Sequence, residues 1–324
     1  MFDSLRSDDV YAAAERIRGT ASRTPLRHSA ALSAVVRTDV HLKLECQQIT
    51  GSFKLRGAYN ALASLDASVR ARGIVAASAG NHGLGISYAA RALGIPATIF
   101  VPRTAPAVKR DGIAKLGATV NAESDNYDIA HARAIEFARE KGLAFIDPCN
   151  DATVIAGQGT AALEILEQLP EVRTVLVPVG GAGLLAGFGS LLRAVAPAVR
   201  IAGAQGNLTN AMALALEAGA VVPVGHEPTL ADGLSGDIDD FALDVGRHAL
   251  DVLAVVTEEE IAMAIAWLDR EEGLVVEGSG AVGVAALLQK KIYKPDGPVA
   301  VVLSGGNIDA SRHAEVVASR AQTV

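Results

Sequence analysis

From residue 73 onward, short apolar runs alternate with stretches of helical length, and no other feature constrains the fold of this chain as tightly. Residues 74–77, 97–101, 118–120 and 143–146 read as strands. Residues 84–93, 106–116 and 128–141 read as the helices between them, with Gly94-Ile95-Pro96 as a stop signal. A second series begins near residue 150. Its helices are predicted over 155–168, from a glycine loop to 196, from 257 to about 270, and over 282–290. Its strands are predicted over 174–179, 200–204 and 299–303, and Thr257-Glu258-Glu259-Glu260 is a capping box. Ahead of both series, residues 8–19 read as an amphipathic helix and 40–44 as a strand. Residues 206–245 carry no clear period. Strands regularly separated by helices argue parallel sheets covered by helices, and two series argue an α/β chain of two lobes. Ligands in such folds bind at the carboxyl ends of the strands.

The length of 324 residues suits one large or two ordinary domains, and 50% hydrophobic residues suffice for a sizeable core. Aromatics are only 4% against 32 glycines, which suits close contact between helices and sheets. The net charge of −7, with no basic stretch, argues against nucleic-acid and anionic-membrane partners. No apolar run reaches membrane-spanning length, and the first residues lack a signal peptide's apolar core. A cytoplasmic protein with a small-molecule substrate is therefore expected. Cys46 and Cys149 have no paired spacing, and His131, His226, His248 and His313 have no ligand spacing. No metal site is expected.

Four segments carry candidate chemistry, each at or just past the end of a predicted strand. Thr50-Gly51-Ser52-Phe53-Lys54-Leu55-Arg56-Gly57-Ala58 leads from a strand into a helix, with Ser52 as the predicted N-cap. Lys54 then falls in the first helical turn, where the dipole disfavours a cation and suits a neutral, nucleophilic amine. A solvated lysine is the plain structural alternative. Val179-Gly180-Gly181-Ala182-Gly183-Leu184 lies between strand and helix, where converging N–H groups make a phosphate cradle or merely a tight turn. The same stretch fits Gly181-x-Gly183-x-x-Ala186, a dinucleotide fingerprint, so a nicotinamide-dependent oxidoreductase is the rival. That rival requires an acid at the end of the next strand, and Gln205 stands there. Ser78-Ala79-Gly80-Asn81-His82-Gly83 could hold a carboxylate, or could be a helix start capped by Asn81 or His82. Ser304-Gly305-Gly306 closes the last strand.

Ser-Phe-Lys-x-Arg-Gly-Ala resembles the Schiff-base lysine motif of fold type II pyridoxal-phosphate enzymes, in the form seen in the threonine dehydratase and serine racemase branch. Thr24-Pro25-Leu26 and the other three segments follow in matching order, and the resemblance runs from about Thr24 to Asp309. It implies a fold like that of the tryptophan synthase β subunit. A large lobe would take residues 1–52 and 146–324, and a small lobe 53–145. It implies pyridoxal 5'-phosphate as cofactor, with Lys54 as its attachment point and as the catalytic base. Phe53 and Gly233, the latter in Thr229-Leu230-Ala231-Asp232-Gly233, would cover opposite faces of the ring. Gly180, Gly181, Ala182, Gly183 and Leu184 would hold the phosphate. Asn81 would meet the phenolic oxygen and Ser304 the pyridine nitrogen. A neutral hydroxyl there makes the ring a weaker electron sink, which favours β-elimination over transamination. Ser78, Ala79, Asn81, His82 and Gly83 would hold the substrate. Glu277 either approaches the cofactor or is a helix-start carboxylate.

The implied reaction is dehydration and deamination of L-threonine and/or L-serine to a 2-oxo acid and ammonia. Serine racemase, a dehydratase of 3-hydroxyaspartate or of a bulkier β-hydroxy amino acid, and an amino-acid sensor on an inactive scaffold are the alternatives. A homodimer or higher homo-oligomer and a short form without a C-terminal regulatory domain are expected. Four positions depart from the family pattern. Ala182 stands where a glycine is usual, so that position should not need a positive φ. Leu84 stands where a glutamine is usual. Gln205 stands where some relatives place the glutamate of a divalent-cation site, so no such site is expected. Ala79 replaces the serine that protonates the substrate in eukaryotic serine racemases, which predicts elimination ahead of racemisation.

Overall fold

The computed structural model describes residues 4–320 apart from 79, 104, 106, 226, 293, 294 and 296. The chain opens with α1 (Ser7–Ile17), β1 (Leu26–His28), α2 (Ala30–Val36), β2 (Val40–Lys43), α3 (Lys54–Ser64) and α4 (Ala67–Arg72). Next come β3 (Ile74–Ala77), α5 (Asn81–Leu93), β4 (Ala97–Pro102), α6 (Ala107–Lys115), β5 (Thr119–Ser124), α7 (Tyr127–Lys141) and β6 (Ala144–Phe145). The second half holds α8 (Ala152–Gln168), β7 (Thr174–Pro178), α9 (Gly183–Val195), β8 (Arg200–Gly206), α10 (Ala211–Ala218) and α11 (Asp240–Ala249). It ends with β9 (Val252–Val256), α12 (Glu258–Glu272), α13 (Gly278–Leu288), β10 (Val299–Val302) and α14 (Ala310–Arg320).

The strands form two sheets, ordered β1-β2-β10-β7-β8-β9 and β5-β4-β3-β6. Every pairing is parallel except that of β1 with β2. The larger sheet is buried on both faces, as parallel sheets are. Val175, Val177, Ala300 and Val302 pack on one side with Leu185, Phe188 and Leu192 of α9. Leu176, Val299 and Val301 turn to the other, against Ile261 of α12 and Val282 of α13. In the smaller sheet, Ile74 and Ala76 of β3 face Leu62 of α3 and Ile86 of α5, while Val75 and Ala77 face Ala130 and Ala134 of α7.

Strand order reverses between β10 and β7, and such a switch point opens a crevice at the strand carboxyl ends. There the chain places Ser304 after β10 and Gly180–Gly183 after β7.

The helices and strands expected from periodicity are present within a few residues, and the capping box forms, with Thr257 accepting from Glu260 N–H. Differences fall where period is weak. Residues 206–245 contain α10 and the start of α11. α10 is apolar apart from Glu217, so its sequence shows no clear amphipathic stripe, and α11 is announced mainly by its Asp239 cap, which accepts from Ala242 N–H. β9 is an edge strand whose half-exposed residues blur its signal. Ser52 is not the N-cap of α3. Phe53 takes that position in helical geometry without a side-chain cap, because Ser52 is drawn into an antiparallel bridge with Gly305. Likewise Gly80, and neither Asn81 nor His82, caps α5.

Candidate active site

Lys54 is the first residue of α3, and its backbone is tied to the end of β10: Phe53 N–H donates to the Ser304 carbonyl at 3.1 Å. Its amine donates to the Pro148 carbonyl at 3.3 Å and lies 5.2 Å from the centroid of the half-buried Phe53 ring. Pro148 and Cys149 lie just past β6, in a turn held by Asp147, whose Oδ1 accepts from the N–H groups of Cys149 and Asn150. Burial would raise the Asp147 carboxyl, but His131 and these N–H groups outweigh it and hold it near 2.

That turn meets the glycine loop. A side chain on Gly181 would collide with Cys149 Sγ at 2.8 Å, and one on Gly183 with Cys149 Cα at 2.9 Å. One on Gly180 would strike Leu234 Cα at 2.9 Å. Leu234 ends the 3-10 turn Asp232–Leu234, in which Gly233 N–H donates to Ser279 Oγ at 2.8 Å. The Ser279 carbonyl in turn lies 3.5 Å from the Ser304 hydroxyl, which is buried. Lys54, Pro148, the glycine loop, Gly233, Ser279, Ser304 and Phe53 thus form a closed ring of contacts.

Ala182, in the middle of the loop, has φ of 65° and is the N-cap of α9. The expectation that it needs no positive φ is wrong. The left-handed residue lets the chain turn from β7 straight into α9, and an alanine there costs about 1–2 kcal/mol that glycine would not. Leu184 is buried in the core, so only its backbone is available to a ligand. The first N–H groups of α9 have no intrahelical carbonyl to meet, and the helix dipole adds positive potential. The loop therefore has the shape and charge of an anion site, with no side chain to fill it.

The segment after β3 enters from the smaller sheet. Asn81 begins α5 and donates through Nδ2 to Glu277 Oε1 at 2.6 Å, while its Oδ1 accepts from Asn307 Nδ2 at 2.6 Å. Asn307 also donates to the Thr50 carbonyl at 2.9 Å. A Cβ on Gly305 would lie 2.4 Å from Glu277 Oε1, so the carboxylate sits directly over the end of β10. Glu277 holds the N-cap position of α13 but makes no side-chain cap, its carboxyl being spent on Asn81. Burial, reinforced by Asp232, pushes its carboxyl up to about 7.

Ser78 Oγ accepts from Gly80 N–H at 3.1 Å, and a Cβ on Gly83 would strike the Ser78 carbonyl at 2.4 Å. His82 is buried, with Nε2 at 3.2 Å from the Ile146 carbonyl. Burial and the nearby Lys54 amine drop its ring to about 3, so it is neutral and binds the loop to the end of β6. Ala79 and His226 lie outside the described residues. Among the described residues no cluster of His, Cys, Asp or Glu could hold a metal ion.

Sequence reasoning missed Pro148, Cys149, Ser279 and Asn307. Asp147-Pro148 at the end of a predicted strand, and Asn307 directly after Gly305-Gly306, were the available signals. It also missed Gly85, whose missing side chain lets α5 lie against the Lys54 backbone; a Cβ would sit 3.1 Å from Lys54 C.

A lysine amine beside a glycine-lined anion cradle, with a serine hydroxyl at a strand end, fits a phosphorylated aldehyde cofactor. The family model "Pyridoxal-phosphate dependent enzyme" matches residues 17–305, and the chain belongs to that family. It is 44% identical over 305 residues to the L-threonine ammonia-lyase of Thermotoga maritima, covering 94% of this chain and 76% of that one. It is 44% identical over 317 residues to a putative threonine dehydratase of Sinorhizobium fredii, covering 97% and 96%. The structure of maize serine racemase superposes with a TM-score of 0.91 at 32% identity, covering 98% of both chains. Pyridoxal phosphate is the cofactor, and the nicotinamide alternative falls.

Proposed function

We propose that the chain is an ammonia-lyase that converts L-threonine and/or L-serine to a 2-oxo acid and ammonia. The observation that carries this reading is the ring joining Lys54 to the glycine loop and to Ser304, in a chain 44% identical to an L-threonine ammonia-lyase and to a putative threonine dehydratase. Bound pyridoxal phosphate supplies an electron sink for the substrate's α-carbon. Gly180, Gly181, Ala182, Gly183 and Leu184 hold its phosphate through backbone N–H groups. Phe53 and Gly233 flank the ring, Ser304 meets the ring nitrogen, and Asn81, set by Asn307 and Glu277, holds the phenolic oxygen. Ser78, Ala79, Asn81 and Gly83 receive the substrate carboxylate, and neutral His82 supports their loop. Lys54 takes the α-proton, and the β-hydroxyl leaves with a proton as water, so that the substrate loses H and OH overall and the amine returns to its starting state. The product enamine hydrolyses to the 2-oxo acid and ammonia. The protein acts in the cytoplasm as a homo-oligomer, with lobes of 1–52 plus 146–324 and of 53–145.

The likeness to serine racemase makes racemisation the second reading. A racemase must deliver a proton to the face opposite the lysine, and the methyl group of Ala79 cannot do so. Ammonia release measured on L-threonine, L-serine and 3-hydroxyaspartate, with chiral chromatography of the serine reaction, tests both. Racemisation is expected to be slower than elimination by about the 10²-fold typical of one positioned acid. D-serine formed as fast as pyruvate would reverse the order of the two readings, and no ammonia from any of the three would remove the first.

A further inference from the structure

Gln205, at the end of β8, has no part in this chemistry. Its side chain is completely buried, and an amide in that position must satisfy its hydrogen bonds inside the protein. It does so in three directions. Nε2 donates to the Val179 carbonyl at 3.0 Å and to the Thr209 carbonyl at 3.1 Å, and Oε1 accepts from Ala213 N–H at 3.0 Å. Val179 is the residue before Gly180. Thr209 closes the turn after β8, where its hydroxyl accepts from Gly206 N–H at 3.1 Å. Ala213 lies in the first turn of α10. One amide therefore joins the base of the glycine loop, the neighbouring turn and a helix start. Two carbonyl oxygens converge on a point that must carry N–H donors or positive charge.

We propose that Gln205 is a positioning residue for the phosphate end of the cofactor site. Its two N–H bonds fix the Val179 carbonyl, and with it the direction in which the N–H groups of Gly180–Gly183 point. The inference rests on the reading of that loop as the phosphate site.

The test measures the dissociation constant of pyridoxal phosphate from apoenzyme by fluorescence titration, with far-UV circular dichroism of the same samples. Wild-type affinity should be the same in EDTA and in calcium. Gln205→Met keeps the volume and loses the hydrogen bonds. It should stay folded and bind pyridoxal phosphate about ten-fold more weakly, the size of effect expected for unpaired buried carbonyls. Gln205→Glu puts an acceptor where the donors were, and should be weakened similarly in EDTA. Wild-type affinity in Gln205→Met, or in Gln205→Glu without calcium, would overturn the proposal. A wild-type apoenzyme that takes up no pyridoxal phosphate would overturn the reading of the site, and this inference with it.

Discussion

Glu277 is a carboxyl whose charge state the fold controls. It titrates at about 7 in the folded protein against 4.5 for the exposed group. Between those values the folded state holds a proton that the unfolded chain has released, so stability falls as pH rises through that window. The loss by pH 8 amounts to roughly 3 kcal/mol. Glu277→Gln has no such proton to lose. Urea unfolding of the apoenzyme at pH 5 and pH 8 should show a smaller drop for Glu277→Gln than for wild type, and equal drops would contradict the assignment. The sequence left Glu277 open between a cofactor neighbour and a helix-start carboxylate. It holds the second position without capping the helix, because Asn81, distant in sequence, claims its carboxyl. Lys54 and the glycine loop were legible because their neighbours are local in sequence. The left-handed turn at Ala182 was not, because the strand and helix it joins set its geometry rather than its own side chain.

At the scale of elements, α3 carries Lys54 and is gripped between α5 and α8 at points with no side chain to spare. A Cβ on Gly157 of α8 would sit 2.6 Å from the Arg56 carbonyl and from Gly57 Cα. Helix-interior glycine normally costs stability, so Gly157-Gln158-Gly159 within a predicted helix was a readable sign of close crossing. What it crossed was not readable, since that depends on how the two series pack. Gly157→Ala should destabilise the protein by about 1–3 kcal/mol in urea titration through overpacking. An unchanged midpoint would mean the helices can separate without cost.

Across the whole molecule, Arg56 of the lysine motif has a structural task. It is fully buried, with its guanidinium on both oxygens of Glu45 at 2.8 and 2.9 Å and on both oxygens of Glu164 at 2.7 and 2.9 Å. Lys43 completes the cluster through Glu164 at 2.5 Å and the Thr24 carbonyl at 2.8 Å. Motif residues Thr24 and Arg56 therefore meet in one network that ties β2 and α3 to α8. Arg56→Met would leave Glu45 buried without its partner, at a cost of about 3–5 kcal/mol in equilibrium unfolding. A loss below about 1 kcal/mol, typical of an exposed pair, would show that water reaches the site. The network holds α3 in place, and α3 presents Lys54 to the glycine loop. Borohydride reduction of the protein loaded with pyridoxal phosphate, followed by digestion and mass spectrometry, tests that central claim directly. A pyridoxyl adduct on the peptide carrying Lys54 is the predicted result; an unmodified Lys54, or an adduct on another lysine, would contradict it.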